Sequence, residues 1–186
     1  MIKLIILDRD GVINQDSDAY VKSAAEWKPI PGSIDAIVRL FRSGYKIVIA
    51  TNQSGIGRGL FSYNALDAMH AKLKRLLFQS NVTLNGIFFC PHIPEDNCNC
   101  RKPASGLLDD IATQLKINLT GVPIVGDSLR DLQAGLTHRC TPILVRTGKG
   151  VFTEMRLKEQ NNIILKNAKV FDNLSGVADY FCNIKK

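Results

Sequence analysis

The sequence predicts an α/β fold, a mostly parallel sheet with helices packed on both of its faces. Two observations carry that expectation. Short runs of branched apolar residues, such as Leu4-Ile5-Ile6-Leu7, read as strands buried on both faces. Between them lie stretches whose apolar residues recur at helical spacing, and this alternation is the signature of parallel strands joined by helices. At 186 residues, 45% of them hydrophobic, the chain is most simply one domain, residues 1–186, with a sizeable core.

The first strand covers Lys3 to Leu7. Pro31-Gly32-Ser33 then opens a helix with Ile34, Ile37, Val38 and Phe41 on one face, and Gly44 closes it. Strand two spans Lys46 to Ala50. The next helix starts near Ser62 and ends about Gln79; the spacing of Leu66, Met69, Leu73, Leu76 and Leu77 marks them as core. Strand three is Gly86 to Cys90, followed by a helix from Gly106 to about Leu115. Strand four is Val122 to Val125, its helix beginning at Leu129 or Arg130 and ending near Thr137. Strand five is Pro142 to Val145. An edge strand is expected at Ile163 to Leu165, and a final turn and helix within Val170 to Asn183. The whole makes a Rossmann-like arrangement. No repeat, low-complexity segment or interdomain linker interrupts it. The long connections are Asn14 to Pro31 and Cys90 to Pro103, and loops of that length in a compact domain are usually functional.

Composition excludes several classes. No apolar stretch approaches the roughly 20 residues that span a bilayer, and the amino terminus carries no signal segment, so a cytoplasmic protein without membrane association is expected. Five cysteines, three of them between positions 90 and 100, do not make a secreted disulfide scaffold; they read first as metal ligands. The net charge of +7 fits either an anionic partner or ordinary solubility. Lys and Arg are spread along the chain, and aromatic residues are not interleaved with them, so no nucleic-acid platform is indicated. No apolar stripe calls for a dimer, and a monomer is expected.

Four motifs carry chemistry. Asp8-Arg9-Asp10-Gly11 ends the first strand and brings two carboxylates to one crevice. Such a pair needs a divalent cation or a split between acid and base roles. The second strand ends in Thr51-Asn52-Gln53-Ser54-Gly55-Ile56-Gly57-Arg58-Gly59, a phosphate cradle or else a flexible loop. After the third strand come Cys90, His92, Cys98 and Cys100, the ligand set of a closed, structural zinc site that would staple the loop. The staple would fix Arg101-Lys102, two cations suited to gripping phosphate. The fourth strand runs into Gly126-Asp127-Ser128-Leu129-Arg130-Asp131, where Asp127 reads as the metal ligand and Asp131 as a cap for the next helix.

In a parallel sheet these motifs meet on one edge. Their order closely resembles the haloacid-dehalogenase superfamily of aspartyl-phosphate phosphatases, over roughly residues 1–150: Asp8 to Gly11, Thr51, Lys102 and Asp127 match its four motifs. The Cys/His loop followed by Arg-Lys-Pro resembles the small branch without a separate cap domain, whose members act on D-glycero-D-manno-heptose 1,7-bisphosphate or on histidinol phosphate. Ser54 to Gly59, Gly126 to Asp131 and Arg146-Thr147-Gly148-Lys149 are more similar to the heptose enzymes.

The resemblance implies a Mg²⁺-dependent phosphatase with structural Zn²⁺ and a phosphorylated sugar as substrate, serving synthesis of ADP-heptose and the lipopolysaccharide core. It makes Asp8 the nucleophile and Asp10 the acid/base, with Thr51 and Lys102 holding the phosphate. Mg²⁺ falls to Asp8, Asp127 and the Asp10 carbonyl. Substrate contacts fall to Asp16, Tyr20, Asn52, Ser54, Arg58, Arg101 and Ser128; Asp16 and Tyr20 lie in a loop one residue longer than the heptose-enzyme pattern. The alternatives are histidinol-phosphate phosphatase, a polynucleotide 3′-phosphatase, and a non-catalytic zinc-loop module that binds nucleic acid. Three acids converging on one site weigh against a binder of polyanions.

Overall fold

β1 (Leu4–Leu7) has no polar residue, and each of its four side chains is at most 2% exposed, so it can lie only in the middle of a sheet covered on both faces. The computed structural model of the protein, which describes residues 3–159, 164 and 167–182, places it there. β1 pairs in parallel with β2 (Lys46–Asn52) on one side and β4 (Pro123–Gly126) on the other. β3 (Gly86–Cys90) extends one wing; β5 (Thr141–Val145) and β6 (Lys169–Phe171) extend the other. The order is β3-β2-β1-β4-β5-β6, every pairing parallel.

Alternation along each strand divides the core. Ile5, Leu7, Ile47 and Ile49 face α1 (Ser33–Arg42), α2 (Tyr63–Phe78) and α6 (Leu174–Phe181) through Ile37, Leu40, Leu66, Met69 and Val177. Leu4, Ile6, Val48 and Ile124 face α3 (Gly106–Leu115) and α4 (Leu129–Leu136) through Leu107, Leu108, Ile111 and Ala134. A smaller cluster of Leu132, Leu144, Leu157 and Ile164 seats α5 (Gly150–Glu159). Among the described residues no helix is long and apolar enough to cross a membrane.

The five predicted strands and four predicted inner helices are present, with ends shifted by a residue or two. Two expectations need correction. Of the edge strand expected at Ile163 to Leu165, Ile163 and Leu165 lie outside the described residues and Ile164 is helical; the sixth strand is Lys169–Phe171. It takes up the start of the segment read as a final turn and helix. The helix α5 had no counterpart in the sequence reading.

The connection from Asn14 to Pro31 is tied down as firmly as a regular element. Gln15 N–H donates to the Lys28 carbonyl and Ile30 N–H to that of Ile13, both at 2.9 Å. Trp27 is wholly buried in the core under α2. Lys72 Nζ on α2 donates to the carbonyls of Ala24 and Trp27 at 2.6 and 2.7 Å and lies 5.8 Å from the indole centroid. Trp27→Ala should therefore cost about 3–5 kcal/mol of stability, read as a lower urea midpoint at unchanged slope; an unchanged midpoint would show that the loop is not anchored by this ring.

Candidate active site

The strand order reverses direction of growth between β1 and β4, and side chains at the carboxyl ends flanking that point surround a cavity of about 210 Å³. Asp8 is the last residue held by the sheet, its N–H donating to the Val125 carbonyl at 2.9 Å. The chain then turns tightly, with Ile13 and Asn14 N–H both donating to the Arg9 carbonyl. Asp8 and Asp10 line the same cavity in opposite settings. Burial, and after it the facing charge of Asp131, pushes the Asp8 carboxyl up to about 7 despite the attraction of Lys102. Asp10 is held below the ordinary carboxylate range: burial opposes its charge, but Arg9, Asn14 and Gln53 together outweigh it.

Lys102 is a fixed cation, 2% exposed. Its Nζ reaches Asp8 Oδ1 at 2.9 Å, Asp131 Oδ1 at 2.6 Å and the Ala50 carbonyl at 2.7 Å, which uses all three ammonium donors. Burial works against its charge, yet Asp131 and Asp8 hold it protonated. Its backbone is held too, because Asn52 donates Nδ2 to the Lys102 carbonyl and accepts Lys102 N–H at Oδ1, both at 3.0 Å. Asn52, expected as a substrate contact, lines the cavity and also uses its amide to place the lysine. Asp131 does cap α4, accepting from Ser128 N–H at 3.0 Å and Ser128 Oγ at 2.6 Å. Its second oxygen takes the lysine, a role the sequence reading missed.

Asp127 sits in a cradle of glycine. A Cβ at either Gly11 (φ 79°) or Gly148 (φ 57°) would overlap its carboxylate. Lys149 N–H donates to Asp127 Oδ2 at 2.8 Å, while burial and then the charges of Asp131 and Asp8 push its carboxyl up to about 8. Asp8, Asp127 and Asp131 each offer an oxygen, all within 4.8 Å of one another. Lys102 and Ser128 satisfy Asp131, which leaves Asp8 and Asp127 short of positive charge. Two under-compensated carboxylates at that distance are a donor set for a hard divalent cation such as Mg²⁺.

Around the mouth, Asp16, Tyr20, Ser54, Arg101 and Ser128, expected as substrate contacts, line the cavity with Thr51. Arg58 does not: it is exposed, carried away as the glycine-rich loop closes on itself through Arg58 N–H to the Ser54 carbonyl at 3.0 Å. Arg101 donates Nη1 to the His92 carbonyl at 3.2 Å. Residues that sequence reasoning passed over also face the cavity: Arg9, Gln53, Asp18, Arg130 and Lys149. Lys149 Nζ stands 3.4 Å from Asp16 and 3.2 Å from Asp18, so the loop after β5 latches the Asp16–Tyr20 segment.

Beside this cavity, Cys90, His92, Cys98 and Cys100 converge as expected, with ligand atoms within 4.8 Å of one another and all three cysteines free. Neighbouring pairs are 3.2–3.6 Å apart. A tetrahedral zinc with Zn–S of about 2.3 Å needs sulfur edges of about 3.8 Å, so the cluster is already close to the size of its ion. Cys90 ends β3 and packs in the core, which roots the loop in the sheet.

Comparison with known proteins places these features. A HAD-hydrolase-like family model matches residues 99–176, and a polynucleotide kinase 3 phosphatase model matches residues 3–136. The D-glycero-β-D-manno-heptose-1,7-bisphosphate 7-phosphatase of Bordetella bronchiseptica is 56% identical over 149 residues, 80% of this chain and 83% of that protein. The protein of the same name from Neisseria meningitidis is 49% identical over 179 residues, 96% of this chain and 94% of its own. A crystal structure of the D,D-heptose 1,7-bisphosphate phosphatase from B. bronchiseptica, complexed with magnesium and phosphate, superposes with a TM-score of 0.91 at 48% identity, covering 99% of this chain and 100% of that one. Similarity of this degree, along nearly the full length and with the acids, the lysine and the Cys/His loop gathered at one sheet edge, means that the chain belongs to the haloacid-dehalogenase superfamily and, within it, to the family of these heptose-bisphosphate phosphatases.

Proposed function

We propose that this chain is a Mg²⁺-dependent phosphatase that removes the C7 phosphate of D-glycero-β-D-manno-heptose 1,7-bisphosphate, acting in the cytoplasm as a monomeric single domain on the route to ADP-heptose and the lipopolysaccharide core. The observation that carries the chemistry is the contrast between Asp8 and Asp10: one faces two further acids and a fixed lysine, the other is enclosed by hydrogen-bond donors. The substrate rests on the relatives that bear this name.

Asp8 attacks phosphorus while the bond from phosphorus to the sugar oxygen breaks, and Asp10 gives that oxygen its proton. The resting network favours ionised Asp10. A phosphate arriving in the same crevice adds negative charge, which moves the carboxyl back toward its protonated form. In the second half-reaction Asp10, now a carboxylate, takes a proton from water as the water oxygen attacks phosphorus. The acyl phosphate bond breaks, and Asp8 and inorganic phosphate are released. Thr51 meets the phosphoryl oxygens from the start, and Lys102 turns to them the donor that Asp8 gives up as its oxygen bonds to phosphorus. Asp8, Asp127 and the Asp10 carbonyl would hold Mg²⁺, whose chemistry when bound is to neutralise charge on those oxygens. Cys90, His92, Cys98 and Cys100 would hold Zn²⁺ and so keep Arg101 and Lys102 in place. Arg101, its pKa pushed down by burial and then by neighbouring Arg130, faces the cavity as a receptor for the C1 phosphate. Asp16 and Asp18 at the mouth would meet hydroxyls of a sugar favourably, and the successive phosphates of a polynucleotide unfavourably.

Phosphate release with Mg²⁺ should be fastest from the β-anomer of the heptose bisphosphate and should stop after one phosphate; faster release from histidinol phosphate would overturn the substrate assignment. The raised carboxyls give a signed pH effect. Folded Asp8 and Asp127 keep protons up to about 7 and about 8, whereas the unfolded chain releases them near 3.8. The folded state therefore binds more protons across that interval, and the Mg²⁺-free protein should lose thermal stability as pH rises through it. Mg²⁺ added at one fixed concentration, a hundredfold above the Kd at pH 8, should restore about 2.7 kcal/mol there and less at pH 5, where protons compete for the acids; equal stabilisation at the two pH values would exclude these acids as ligands. Cys98→Ser should lower zinc content and cut kcat/KM by about 100-fold, the scale of a slight misplacement of catalytic groups. Full activity without zinc would remove its structural role.

A further inference from the structure

Arg9 stands between the two acids in sequence, and its side chain, 1% exposed, is among the largest fully buried ones in the protein. Its bonding is lopsided. Nη2 donates to Asp10 Oδ1 at 3.0 Å, to Asp10 Oδ2 at 2.9 Å and to Gln53 Oε1 at 3.0 Å. Nε and Nη1 are buried with no partner among the described residues. A guanidinium placed for stability alone would use its fork, and an apolar side chain would fill this space at lower cost in lost hydration. The one nitrogen that is engaged touches only Asp10 and the residue that also touches Asp10.

Gln53 is used at both ends. Its Oε1 accepts from Arg9, and its Nε2 donates to Asp10 Oδ2 and to Thr51 Oγ1, each at 2.8 Å. The glutamine is itself buried, 4% exposed, with its N–H donating to the Cys90 carbonyl at 2.7 Å. Asn14 completes the ring by donating to Asp10 Oδ1 at 2.8 Å. Each oxygen of Asp10 is therefore held by two donors, and the plane of the carboxylate is set from its own turn and from the end of β2.

We infer that Arg9 and Gln53 are positioning residues for Asp10, forming a clamp that aims its carboxyl for both proton transfers and ties it to Thr51 at the phosphate. This inference rests on the aspartyl-phosphate reading above but not on the identity of the sugar. Asp8 is held by Lys102 and by the Arg9 backbone N–H, at 2.9 and 2.8 Å, so the Arg9 and Gln53 side chains serve Asp10 and not Asp8.

p-Nitrophenyl phosphate separates the clamp's role from a structural one. Its nitrophenolate leaves without needing a proton, so phosphorylation of Asp8 bypasses Asp10, whereas hydrolysis of the aspartyl phosphate still requires Asp10 to take a proton from water. In Gln53→Met and Arg9→Met the burst of nitrophenolate should slow far less than steady turnover does. Steady turnover should fall about 100-fold, with phosphoenzyme accumulating. Should Arg9→Met not fold, Gln53→Met, which keeps the length and volume of the side chain, carries the test. A burst slowed in step with turnover, or turnover unchanged in Gln53→Met, would overturn the clamp. If the unaltered protein ignored the heptose bisphosphate while the burst pattern held, the sugar assignment would fall and the clamp would stand.

Discussion

The buried ammonium of Lys102 is the interaction on which the site depends. It lies where β1, β2, α4 and the Cys/His loop meet, and its three donors reach one group from each of the first three. Without it Asp8 and Asp131 would face one another across a low-dielectric gap with Asp127 beside them, an arrangement that costs several kcal/mol when one partner of a buried pair is missing. The lysine compensates this crowding only in part. Asp131 is held ionised, and Asp8 and Asp127 are left wanting charge. The site is thus folded around a deficit of positive charge, the deficit that the proposed Mg²⁺ would fill.

Placing that lysine explains features that look remote from it. Asn52 extends β2 past the residues that its apolar pattern requires, and the extension lets its amide clasp the Lys102 backbone. The Cys/His cluster begins at the buried end of β3 and finishes one residue before Arg101, so any ion it holds fixes the start of the segment that carries both cations. Gly11 and Gly148 press against Asp127 from two loops, and Thr147 Oγ1 donates to the Gly11 carbonyl at 2.6 Å to join those loops. Each motif at the sheet edge is therefore braced by another.

The sequence was legible where physical pattern and position coincide. The apolar strands, the inner helices and the four acid, hydroxyl and lysine motifs all follow from periodicity and from the rule that parallel strands expose their carboxyl ends. What escaped was long-range. α5 buries Gly150, Thr153 and Glu154 while exposing Val151, Phe152 and Met155, an inversion made possible because Arg146 and Lys158 pair with Glu154. No apolar stripe announces such a helix. Asp131 could be read as a cap from its spacing to Ser128, but its bond to Lys102 joins residues 29 positions apart and leaves no local trace. Arg58 looked like a phosphate ligand because it stands among glycines, yet those same glycines let the loop turn it to solvent.

Asp8 and Asp10, just past the carboxyl end of β1, show how one turn gives two carboxyls opposite settings. They are separated by a single residue and both line the same cavity, so position in the chain does not distinguish them. What differs is the sign of their surroundings. Asp8 meets carboxylates with one cation between them, a crowding that the proposed bond to phosphorus would relieve. Asp10 meets only donors, from Arg9, Asn14 and Gln53, and a carboxyl enclosed by donors is suited to receive and return a proton without moving. Arg9, between them in the chain, gives its backbone N–H to Asp8 Oδ1 at 2.8 Å and its guanidinium to Asp10, so the proposed division of labour is set in part at the residue that separates the acids.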